Sequence, residues 1–67
     1  MDNRYYKILV LFGNNDIWTR KNLVHSIKDE KLIDEALSLG YIEKYDINDI
    51  GEPRYRITKL GIKIRDN

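Results

Sequence analysis

The sequence predicts an α+β domain: three helices, then a two- or three-stranded β-hairpin, then a short C-terminal helix. Three observations predict it. Leu37-Ser38-Leu39-Gly40-Tyr41-Ile42-Glu43-Lys44 ends an amphipathic helix at a glycine and opens a strand. Arg54-Tyr55-Arg56-Ile57 alternates polar and apolar residues, the period of a half-buried strand. Thr58 follows it directly and offers a side-chain oxygen to the free N–H groups of a last helix.

In chain order, residues 4–12 place Tyr5, Ile8, Leu9 and Phe12 at helical spacing, with Tyr6 and Val10 forming a second apolar stripe. Gly13-Asn14-Asn15-Asp16 is a turn by composition, and Ile17-Trp18 a short extended piece. Thr19 or Asn22 caps a second helix over residues 20–27, whose Leu23, Val24 and Ile27 point inward. Lys28-Asp29 ends it, and Asp29 caps a third helix. Leu32, Ile33, Ala36, Leu37 and Leu39 form that helix's core face, while Glu30, Lys31, Asp34, Glu35 and Ser38 face outward. Gly40 suits the left-handed residue past its end. Strands over residues 41–47 and 54–57 flank turn residues 48–53. The final helix packs Leu60 and Ile64 and frays through Asp66-Asn67.

Sixty-seven residues make a single domain with a small core, of a size that buries only about 60% of the surface exposed when unfolded. Most aromatic side chains, including Trp18, Tyr41, Tyr45 and Tyr55, are therefore expected in the core. Cysteine is absent, which removes disulfides, thiolate nucleophiles and cysteine metal sites. His25 is the lone histidine and reads as a surface or half-buried polar residue. Asp34 and Glu35 lack the apolar setting that raises a carboxyl pKa for acid–base work. The glycines stand singly at turns and helix ends, so no phosphate loop is formed. No catalytic residue, metal, cofactor or small-molecule substrate is expected. The apolar run from Ile8 to Phe12 is too short for a signal peptide or a membrane span. The expected compartment is the cytoplasm.

A net charge of +1 conceals alternating blocks. Arg20, Lys21 and Lys28 stand in a segment without acids; Asp29, Glu30, Asp34 and Glu35 outnumber Lys31 in the next. Glu43, Asp46, Asp49 and Glu52 outnumber Lys44 across the hairpin, and Arg54, Arg56, Lys59, Lys63 and Arg65 dominate the C-terminal segment. Such asymmetry bears on partners.

The order of elements, with the Leu-Gly-Tyr-Ile-Glu and Tyr-Arg-Ile-Thr-Lys-Leu-Gly runs, resembles the winged helix-turn-helix superfamily, best over residues 19–61. The resemblance implies a transcription-regulator module whose third helix enters the DNA major groove and whose hairpin, the wing, touches the backbone or minor groove. The chain departs from the pattern in its charges. Groove-reading helices lean on Arg, Lys, Asn and Gln, whereas the outward face here carries Glu30, Asp34 and Glu35 beside one lysine, and the wing tip is acidic.

The candidate DNA contacts are Arg20, Lys21, Lys28, Lys31, Arg54, Arg56 and Lys59, because each neutralised phosphate releases counterions. A solvated surface explains the same cations. Tyr5, Tyr6 and Val10 are candidates for a homodimer interface, since the first helix is apolar on more than one face. Two readings stay open: a module that binds duplex DNA weakly, or a protein-interaction or dimerisation module with no direct nucleic-acid contact.

Overall fold

The computed structural model describes residues 4–67. Its elements run α1 (Tyr6–Leu9), β1 (Trp18–Thr19), α2 (Arg20–Ile27), α3 (Glu30–Ser38), β2 (Ile42–Ile47), β3 (Pro53–Ile57) and α4 (Lys59–Asp66). The result is an α+β fold with four helices and one three-stranded antiparallel sheet, ordered β1-β3-β2.

The caps expected from the sequence are made. Thr19 Oγ1 accepts the Asn22 N–H at 3.1 Å, Asp29 Oδ1 accepts the Leu32 N–H at 3.1 Å, and Thr58 Oγ1 accepts the Gly61 N–H at 3.0 Å. Gly40 adopts φ +78° past α3. There the Tyr41 N–H reaches back to the Ala36 carbonyl at 2.9 Å and the Gly40 N–H to Leu37 at 3.1 Å, which satisfies two carbonyls at the helix end. In the hairpin turn Gly51 takes φ +81° and donates to the Asn48 carbonyl at 2.9 Å. Asn48 Oδ1 receives the N–H groups of Ile50 and Glu52 at 3.2 and 2.9 Å.

The core gathers Ile8, Leu9, Phe12, Leu23, Leu32, Ile33, Ala36, Ile42, Tyr55 and Ile57. It lies between the helices and one face of the sheet, so the other face is free to carry polar groups.

Five expectations are corrected. The first helix is one turn, Tyr6–Leu9, because a run of aromatic and β-branched residues without a side-chain cap propagates a helix poorly. The chain continues through tighter bonds, Leu11 N–H to Ile8 and Phe12 N–H to Leu9. Leu39 follows the last turn of α3, beyond the core, and is 46% exposed. Leu60 is 45% exposed, because α4 turns Gly61 toward the sheet and seats Ile62 and Ile64 against the core. Tyr45, expected inside, is 49% exposed: with Ile42 buried, strand alternation puts Tyr45 on the outer face with Glu43, and the register shift between Lys44 and Asp46 brings Asp46 onto that face too, opposite Arg54.

Nor does the C-terminus fray where expected. α4 runs through Asp66, and Arg65 ties it to the far end of the chain. Its guanidinium donates to the Phe12 carbonyl, to Asn14 Oδ1 and, through Nε, to Asp66 Oδ1, each at 2.8 Å. Arg65→Ala should lower the urea midpoint and speed amide exchange first in residues 13–16. Uniform exchange across the whole chain would show that the turn is held by other contacts.

Candidate nucleic-acid interface

Of the seven proposed DNA-contacting cations, three are engaged inside the protein. Arg20 opens α2 and reaches Asp34 Oδ1 at 2.9 Å, the Tyr55 hydroxyl at 3.3 Å and Glu30 Oε2 at 3.8 Å, joining α2 to both α3 and the sheet. Arg54 and Arg56 alternate with buried Tyr55 and Ile57 and so share the outer sheet face. The register places Asp46 opposite Arg54 and Glu43 opposite Arg56. Arg54 grips Asp46 with two donors, Nε at 2.6 Å and Nη2, while Arg56 Nε meets Glu43 Oε2 at 2.7 Å.

The other four, Lys21, Lys28, Lys31 and Lys59, are exposed and make no side-chain ion pair or hydrogen bond among the described residues. A general division underlies this. Every arginine of the chain (Arg4, Arg20, Arg54, Arg56 and Arg65) forms an ion pair, and no lysine does among the described residues. The planar guanidinium holds a carboxylate through several fixed donors, whereas the ammonium is a strongly hydrated point charge that stays in water.

Most of the acidic side chains are likewise occupied, though exposed Asp49 is in no ion pair among the described residues. Asp34 answers Arg20, and Glu35 Oε1 lies 3.0 Å from the Arg4 guanidinium. Glu52, at the hairpin turn, accepts the Lys21 backbone N–H at 3.1 Å and so caps the first turn of α2. Negative charge at a helix N-terminus is stabilising, which gives one wing-tip acid a structural role. The outer face of α3 is therefore closer to neutral than its sequence implies.

The pairing moves several pKa values. Hydrogen bonds from Arg54 hold the Asp46 carboxyl below its ordinary value, and Arg65 does the same to Asp66. Arg20 is pushed up, first through its Tyr55 bond and then through Asp34, and Arg54 is pushed up by Asp46. A guanidinium is charged at any working pH, so the consequence falls on the carboxylates. What the Arg54–Asp46 pair adds to stability is complete above the ordinary carboxyl pKa and is lost as pH falls through the depressed folded value. Asp46→Asn should therefore flatten the acid limb of a stability-versus-pH curve while leaving its neutral region nearly level. An unchanged acid limb would show the pair to be energetically idle.

Lys21 and His25 are exposed one turn apart on α2, and exposed Lys28 follows its last residue, Ile27, so two free cations stand on this helix and its C-cap. Lys28 itself takes the left-handed φ of +60° that ends α2. Lys31 follows on the exposed side of α3. Lys59 stands apart, in the first turn of α4.

Of the proposed dimer residues, Tyr6 and Val10 are each 49% exposed and four residues apart. Tyr5 is half-buried instead, its ring edge-on to Tyr41 with centroids 5.4 Å apart. Sequence reasoning missed Tyr45, whose ring lies 5.9 and 5.3 Å from the Arg54 and Arg56 guanidinium carbons. The signal that could have found it is strand alternation, which buries Ile42 and turns Glu43 and Tyr45 to the outer face.

Among the described residues no group of three His, Asp or Glu side chains could hold a metal ion, and no helix is long and apolar enough to cross a membrane. Comparison of the chain with family models, with curated proteins and with solved structures found no match.

Proposed function

We propose that the chain is a small winged helix-turn-helix module of the transcription-regulator type, which binds duplex DNA weakly and without catalysis. An α+β layout of helix, strand, two helices, hairpin and helix, with sheet order β1-β3-β2, is compatible with that architecture. The observation that carries the reading is that Lys21 on α2, Lys28 at its C-cap and Lys31 on α3 are exposed and make no ion pair among the described residues. In this architecture the helix that carries Lys21 crosses the DNA backbone. Arg20, Arg54 and Arg56 contribute less, since their charge is already met by carboxylates. With the acids of α3 paired, repulsion of phosphates is reduced to a level that three lysines can overcome at low salt. The affinity is correspondingly low and strongly salt-dependent.

The test is binding of labelled random duplex DNA across a salt series. Lys21→Ala with Lys28→Ala should flatten the slope of log K against log salt by about 1.8 units, two phosphate contacts being lost. A slope equal to that of the wild type removes α2 from the interface.

A second reading, an interaction or dimerisation module, is favoured by the exposed Tyr6 and Val10 and by the internally neutralised arginines. It requires self-association that Tyr6→Glu abolishes in sedimentation equilibrium, together with no duplex binding at low salt.

A further inference from the structure

A concavity of the described structure lies away from the α2 lysines. A groove of about 620 Å³ opens between the 13–17 segment, the outer face of the hairpin and the first turn of α4. Its lining brings together Asn15, Ile17, Glu43, Tyr45, Arg56 and Lys59, and none of Lys21, Lys28 and Lys31 belongs to it. The volume falls in the range of small-ligand sites, which combine apolar walls with a few placed polar groups.

The chemistry of the lining selects its occupant. Tyr45 shares the outer sheet face with Glu43, is half exposed and has the Arg56 guanidinium 5.3 Å from its ring centroid. A planar apolar ring stacks well on such a pair. Ile17, 38% exposed, adds an apolar wall. Arg56 is balanced by Glu43 at 2.7 Å, whereas Lys59 has no ion pair among the described residues, so the lining carries one uncompensated positive charge and suits one anionic group. The Asn15 amide makes no hydrogen bond among the described residues and offers both donor and acceptor.

We propose that this groove binds one unpaired nucleotide of single-stranded DNA, its base stacked on Tyr45 and its phosphate at Lys59. Duplex DNA does not satisfy it, because a paired base has no free face to stack. The site therefore stands whether or not the α2 lysines engage duplex.

The probe is an oligothymidylate hexamer titrated into the isotope-labelled full chain, followed by amide chemical shifts. The expected result is submillimolar binding with shifts at Asn15, Ile17, Tyr45 and Lys59. Tyr45→Ala should weaken binding at least about five-fold, the low end for loss of one stacked base, and Tyr45→Phe should restore it. Lys59→Ala should flatten the salt dependence by about 0.7 units, the value for one phosphate of a single strand. Both positions are exposed, and retained spectral dispersion confirms that each variant is folded. Shifts confined to the α2 lysines, no shifts at millimolar hexamer, or binding indifferent to Tyr45→Ala would overturn the proposal. A uridylate hexamer that binds more tightly than thymidylate would overturn the assignment to DNA.

Discussion

Gly61→Ala should cost about 3 kcal/mol of stability or more, the upper end for overpacking a filled site. Within an exposed helix the same change usually stabilises by about 1 kcal/mol, so the sign alone is diagnostic. Gly61 is buried in the first turn of α4, and a Cβ there would lie 2.0 Å from the Tyr41 carbonyl oxygen and 2.7 Å from Ile57 Cγ1. That carbonyl cannot retreat easily, because it accepts the Thr58 N–H at 3.0 Å, while the Thr58 hydroxyl holds the adjoining Gly40 carbonyl at 2.5 Å. The added methyl must push α4 away from the α3–β2 junction and break its N-terminal cap. A core of this size supplies no more than about 3–5 kcal/mol, so the variant should be largely unfolded at room temperature. Urea denaturation followed by circular dichroism checks this. A variant as stable as the wild type would contradict the close packing of α4.

Asp34→Lys with Glu35→Lys should tighten binding to random duplex by an order of magnitude or more at low salt, if α3 lies against DNA as proposed. The structure strengthens the expectation, because the change does more than reverse two charges. Asp34 is the closest acidic partner of Arg20, and Glu35 is the partner of Arg4. Removing both releases two arginines toward phosphate while adding two lysines. Each lost pair has one exposed and one partly buried partner, and the core residues Leu32, Ile33 and Ala36 are untouched. Unaltered affinity, in a wild type that binds, would place α3 outside the interface and leave binding to the α2 lysines.

Local signals carried much of the fold. The caps at Thr19, Asp29 and Thr58 and the glycine at position 40 act within a few residues of themselves, so their chemistry could be read from spacing. The hairpin was legible from alternation and from its turn residues. What escaped depends on partners distant in sequence. Gly61 reads as an ordinary helix-end glycine until Tyr41 is placed against it, and Arg65 as a fraying cation until Phe12 and Asn14 meet it. The bulge that brings Asp46 onto the outer face opposite Arg54 is a property of two strands together, with no mark in either. The candidate site was legible in part for the same reason. Charge blocks located the cations, but the split between paired arginines and free lysines emerges only when the strands and helices are juxtaposed.

The central claim is that free lysines, more than the paired arginines, give this module its affinity for DNA. The most direct measurement is equilibrium binding of the wild-type chain to labelled random duplex at 50 and 200 mM salt. Three phosphate contacts, from Lys21, Lys28 and Lys31, predict measurable binding at the lower concentration and a loss of about 40-fold at the higher. Absence of binding at 50 mM salt, or an affinity that salt leaves unchanged, would contradict the account.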